Sequence, residues 1–91
     1  MTISVYINPP SITAAQYDEI IRRLEAAGAG KPGGRLYHAC FGSSDKVQVF
    51  DIWESQQAFE KFGETLMPIL QEIGADPGEL MVEPVHNLIQ G

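Results

Sequence analysis

Basic side chains are scarce in this chain: Lys and Arg number 6 against 12 Asp and Glu, a net charge of −6 at neutral pH. Nucleic-acid binding draws much of its affinity from clustered cations that displace counterions from phosphates. Here the only adjacent basic pair is Arg22-Arg23, and nucleic-acid partners are excluded on that ground. Cysteine is nearly absent. Cys40 stands alone, so it can make neither an intramolecular disulfide nor a thiolate zinc site; it reads as a buried, reduced thiol in a cytosolic protein. No His, Cys, Asp and Glu stand at metal-ligand spacing, since Asp51 and Glu54 alone are too sparse, and no metal is expected. No apolar run approaches the roughly 18 residues of a membrane span. The opening MTISVYINPP has no basic segment followed by a long apolar one, so no signal peptide is expected and the cytoplasm is the expected compartment. Internal repeats are missing as well.

What is present is apolar. Hydrophobic residues make up 44% of the 91 positions, ample for one domain and rich enough in so short a chain to suggest that a partner covers part of the surface. The centre of the pattern is residues 46 to 74. Lys46 to Glu54 carries β-formers at both parities (Val47, Val49, Phe50, Ile52, Trp53), the mark of a strand covered on both faces. Ser55 can cap a following helix, in which Ala58, Phe59, Phe62, Leu66, Ile69, Leu70 and Ile73 form one apolar stripe and Gly74 fits the C′ position. Pro68 interrupts this helix; without an amide hydrogen it predicts a kink or break near Leu66-Met67 and a gap beneath.

The remaining elements follow in order. Thr2 to Asn8 alternates as a strand and stops at Pro9-Pro10. A T-x-x-Q capping box, Thr13 with Gln16, opens a helix whose buried stripe is Tyr17, Ile20, Ile21, Leu24 and Ala27, ending at Gly28. The glycine-rich loop 28–34 follows a helix, precedes a strand and lacks a Lys-Ser or Lys-Thr ending; it is a connector rather than a phosphate cradle. Arg35 to Phe41 is a strand, joined through Gly42 to Asp45 in a hairpin to the central one. Symmetric closure sets Cys40 opposite Val47, His38 opposite Val49 and Leu36 opposite Asp51. Leu36, His38, Cys40, Val47, Val49, Asp51 and Trp53 then share one face; Arg35, Tyr37, Ala39, Phe41, Gln48, Phe50 and Ile52 share the other. Asp76-Pro77-Gly78 is a turn, Leu80 to His86 an edge strand weakened by Pro84, and the tail to Gly91 is placed to reach a partner.

The order β-α-β-β-α-β is an α+β, ferredoxin-like arrangement: a four-stranded antiparallel sheet with two helices on one face. Two helices leave the face bearing Tyr37, Phe41, Phe50 and Ile52 uncovered, so a homodimer is expected.

With that order, the segment VFDIWESQQAFEKF resembles the strand–Trp–helix junction of the dimeric α/β barrel superfamily, and of its antibiotic-biosynthesis-monooxygenase-like group. The resemblance implies a dimeric α/β barrel with a cavity between sheet and helices in each subunit, and, in the group's oxygenases, an Asn, a Trp and a His around it. The Trp matches Trp53, and Asn8 is the nearest match to the Asn. Haem-degrading members place a His about three turns into the second helix; Gly63 and Glu64 occupy that region here, and the haem reading loses its iron ligand. No cofactor is expected.

The candidate site is His38, Asp51 and Trp53 on one sheet face, with Tyr6 bringing a hydroxyl toward His38 and Phe62 and Met67 as an apolar lid. A carboxylate beside an imidazole can hold a useful tautomer, making His38 the candidate general base. The blander reading is a structural His beneath a helix and a Trp that is only packing. Ser43 and Ser44 lie at the far end of the hairpin from Asp51, which leaves no Ser-His-Asp arrangement, and His86 belongs to the surface or an interface. The expected function is binding of a small organic ligand in the cavity. The alternatives are a cofactor-independent monooxygenase or isomerase, a non-catalytic dimerisation module and, last, a haem degrader.

Overall fold

A computed structural model describes all residues, 1–91. The chain forms β1 (Ile3–Ile7), α1 (Ala14–Ala26), β2 (Arg35–Ser43), β3 (Lys46–Trp53), α2 (Gln56–Ile73) and β4 (Leu80–Pro84). The strands make one antiparallel sheet in the order β2-β3-β1-β4. This is the expected ferredoxin-like α+β architecture. Alternation along β1 and β3 turns Ile3, Val5, Val47 and Trp53 toward the helices, where they join Ile20 and Leu24 of α1 and Phe62, Ile69 and Leu70 of α2 in the core.

Both helices begin and end as their sequences predict. Thr13 accepts from the amide of Gln16 at 3.1 Å while the Gln16 side chain accepts from the amide of Thr13 at 2.9 Å. Ser55 accepts from the amide of Ala58. Each helix closes on paired carbonyl bonds around a left-handed glycine, with Ala29 donating to Leu24 after Gly28 and Ala75 donating to Leu70 after Gly74. The expected break at Pro68 does not occur, because α2 runs unbroken from Gln56 to Ile73. Ile69 and Leu70 just after Pro68 are buried in the core, while the Glu64 carbonyl goes without its intrahelical donor.

Three local corrections matter for the site. The hairpin turn is two residues, Ser44-Asp45, so the pairing slides by two: Cys40 faces Val49 and His38 faces Asp51. An even slip keeps each residue on its predicted face. A bulge between Arg35 and Tyr37 then exchanges the first two residues of β2. Arg35 pairs with Trp53 and lies over the Phe62 ring, and Leu36 joins Tyr37, Phe50 and Ile52 on the outer face. Finally, β4 stops at Pro84 instead of His86, with one further bond from Val85 to the carbonyl of Thr2 at 3.0 Å where β1 has not yet begun.

The hairpin is fastened to the start of α1. Ala14 donates to the carbonyl of Ser44, and Val47 donates to the carbonyl of Ile12, both at 2.9 Å. At the other end of β2, a Cβ on Gly34 would stand 2.6 Å from the Cβ of Ala58, so only glycine lets the loop approach α2 this closely. The tail lies over its own sheet, where Leu88 and Ile89 line a groove with Tyr37 and Ile52.

Candidate functional site

Period-two alternation puts Val49, Asp51 and Trp53 on the helix-facing side of β3. Asp51 is the one buried charged residue of the chain, 3% exposed. Both of its oxygens are engaged: Oδ1 lies 2.5 Å from His38 Nδ1, and Oδ2 accepts from Trp53 Nε1 at 3.2 Å. The other imidazole nitrogen, Nε2, lies 2.5 Å from the hydroxyl of Tyr17 on α1. The Tyr17 and His38 rings lie nearly parallel, at 7°, with centroids 6.0 Å apart. Four side chains from α1, β2 and β3 thus form one continuous chain, Trp53–Asp51–His38–Tyr17.

The pairing explains why these groups meet. His38 stands directly across from Asp51, and the bonds from Ala14 and Val47 seat the first turn of α1 against the hairpin. Burial is the main cause that pushes the Tyr17 phenol up to about 12; Cys40 and Asp51 add to it, and Arg35 opposes. The hydroxyl therefore keeps its proton at neutral pH. Burial also raises the Cys40 thiol, with Asp18 contributing, and this partly buried group is a poor nucleophile.

This chain of side chains borders a cavity of about 270 Å3 between the sheet and the helices. Ile20 and Leu24 of α1, Val49 of β3, and Phe59, Leu66 and Met67 of α2 supply most of its wall, and the Pro77-Gly78 turn closes one side. Tyr17, His38 and Asp51 are its inner polar residues. Glu60, exposed on α2, stands at the rim, and no Lys or Arg lines the space. Gly63 lies in the cavity wall, and with Glu64 it occupies the region where the resemblance would have put an iron-ligating His. No group of three or more His, Cys, Asp or Glu is placed to hold a metal ion.

Of the predicted site residues, His38, Asp51 and Met67 reach the cavity. Trp53 and Phe62 stand behind its wall, packed on each other with ring centroids 5.2 Å apart; Trp53 is fully buried. Tyr6 does not approach His38. With Ile3, Val5 and Ile7 turned inward, Tyr6 points to the outer face, where its hydroxyl donates to the side chain of Gln48. Asn8 accepts from Lys46 at the end of the sheet, also outside the cavity. Tyr17 was missed, because its spacing fits the core stripe of α1. The available signal was its hydroxyl, in a stripe otherwise composed of Ile20, Ile21, Leu24 and Ala27: a buried phenol requires a partner.

No protein-family model matches the chain, and no curated protein matches it in sequence. Solved structures do match. A candidate antibiotic biosynthesis monooxygenase from Chloroflexus aurantiacus J-10-fl superposes with a TM-score of 0.66 at 16% identity, covering 100% of both chains. SnoaB of Streptomyces nogalater, described as a cofactor-independent oxygenase, gives 0.63 at 12% identity over 99% of this chain and 96% of its own. A candidate antibiotic biosynthesis monooxygenase from Caulobacter crescentus CB15 gives 0.65 at 16%, covering 97% of this chain and 91% of that one. At such identities the likeness concerns the fold alone: this chain has the ferredoxin-like fold of the antibiotic-biosynthesis-monooxygenase-like proteins.

Proposed function

We propose that this protein is a homodimer that takes one small, uncharged organic molecule into the cavity between sheet and helices of each subunit. The observation that carries the reading is the composition of the wall, apolar except for Glu60 at the rim and one hydrogen-bonded chain ending at Tyr17 inside. Ligand sites are commonly of this kind, apolar with a few convergent polar groups. A cavity of ~150 Å3 already admits benzene, so about 270 Å3 suits a molecule of one or two rings. An anion would enter without a cation to meet it, and burying an unpaired charge is costly. The outer face supports the dimer: Tyr37, Phe41 and Met81 are about half exposed there, and a second copy is the economical cover. The unpaired Cys40 suits a reducing, cytoplasmic setting.

A second reading, a cofactor-independent monooxygenase or isomerase, is favoured by the His38–Asp51 bond. The carboxylate holds the Nδ1 proton and leaves the Nε2 lone pair basic, so His38 can receive a proton from the substrate through the Tyr17 hydroxyl. An isomerase would return that proton to another carbon; in an oxygenase the deprotonated carbon would bond to dioxygen, and the protonated peroxide would lose water to leave a carbonyl, both electrons coming from the substrate. The fold of SnoaB supports the class and nothing finer.

One pair of measurements tests both readings. A naphthol should quench or shift the fluorescence of the single Trp on binding, and His38→Ala should weaken that binding by about tenfold, the worth of roughly 1.4 kcal/mol. Unchanged affinity in the variant would make His38 purely structural. Under the enzyme reading, the wild type also accelerates exchange of the naphthol ring hydrogens with deuterated water, because removal of the O–H proton makes the ring carbons more basic. Exchange no faster than in buffer removes the enzyme reading.

A further inference from the structure

The proton positions in the chain Asp51–His38–Tyr17 follow from its first member. As a carboxylate, Asp51 only accepts, so His38 Nδ1 donates to Oδ1, and in the neutral form of the ring Nε2 is left as an acceptor. The one proton of Tyr17 is therefore directed at His38 Nε2, and the raised pKa keeps that proton in place. Asp51 has no oxygen to spare, since Trp53 occupies the second. What remains at the inner end of the cavity, away from Glu60 at the rim, is the phenolic oxygen of Tyr17, which makes no other hydrogen bond.

We infer that Tyr17 is the specificity-determining residue of the cavity, and that it selects uncharged ligands able to donate a hydrogen bond, through O–H or N–H, over ligands of equal size that can only accept. This rests on the ligand-binding reading above and adds a direction to it. A ketone, aldehyde or ether oxygen placed at Tyr17 would meet lone pairs and lose its water without replacement. An O–H or N–H placed there would extend the hydrogen-bonded chain by one link. Such a mismatch of buried polar groups discriminates more strongly than a difference in shape.

The test compares four probes of nearly one size on the full chain: naphthalene, a naphthol, its methyl ether and the corresponding naphthaldehyde, with affinities from Trp fluorescence or calorimetry. The naphthol is expected to bind about tenfold more tightly than the ether or the aldehyde, the worth of one buried hydrogen bond. In Tyr17→Phe that advantage should collapse to within about twofold while naphthalene binds as before, a pattern that loss of packing alone cannot produce. Equal affinities of naphthol and ether for the wild type would overturn the inference and leave the cavity reading standing, as would a naphthol advantage that survives in Tyr17→Phe. Failure of every probe, naphthalene included, would overturn both. The wild-type comparison of naphthol with naphthaldehyde decides the matter even if the variant does not fold.

Discussion

On the helix-facing side of the sheet, Val5 and Trp53 are fully buried and Asp51 is 3% exposed; on the other side Tyr37, Phe41 and Met81 are 52%, 46% and 57% exposed. The two faces are nonetheless built from the same strands and share an apolar character. The inner face is finished by the chain's own helices, and within it a charge can be kept because every buried side-chain nitrogen and oxygen has a partner. The outer face has only the tail, from which Leu88 and Ile89 reach Ile52 and its neighbours. One side of the sheet thus carries folding energy and candidate chemistry, and the other carries the proposed association.

Three experiments press on this contrast. Trp53→Ala on the inner face should cost about 3–5 kcal/mol in urea unfolding, the usual range for a large buried ring, with Phe62 and Asp51 losing their neighbour. A loss below about 1 kcal/mol would mean the inner core is not the support it appears from burial. Phe41→Glu on the outer face should change subunit stability by no more than about 0.5 kcal/mol, as for other surface positions, yet weaken dimerisation at least about tenfold in sedimentation. A wild type that sediments as a monomer at high concentration removes the association. The smallest effect belongs to Tyr17. Its folded pKa of about 12 lies above the ordinary phenol value of 10.0, so its contribution to stability is complete below the unfolded value and is lost as pH rises through the folded one. Phenolate absorbance should show a tyrosine that ionises only near pH 12, and this step should vanish in Tyr17→Phe.

The contrast between faces was legible in the sequence because a strand's period is two and survives an even error. The hairpin register was displaced by two residues, yet His38, Asp51 and Trp53 stayed together. The bulge at Leu36 was not legible: nothing in Arg35-Leu36-Tyr37 marks an extra residue, and the exchange of Arg35 with Leu36 became visible only through pairing. The caps at Thr13, Ser55 and Gly74 were readable since each is a local hydrogen-bond pattern. The site was half readable. His38 and Asp51 lie on neighbouring strands of one hairpin, where spacing predicts proximity. Tyr17 comes from a helix packed across the sheet, and its meeting with His38 depends on the bonds from Ala14 and Val47, which no periodicity encodes. Tyr6 was misplaced by looking for a hydroxyl on the polar parity of β1, which is the side away from the helices.

Pro68 sits in the stretch of α2 that roofs the cavity, between Met67 and Ile69, with Gly63 little more than a turn before it. Over that short span the helix lacks a rung of its ladder at one residue and a side chain at another. Local opening is cheapest where hydrogen bonds and contacts are fewest. The least supported part of this helix therefore lies directly over the cavity.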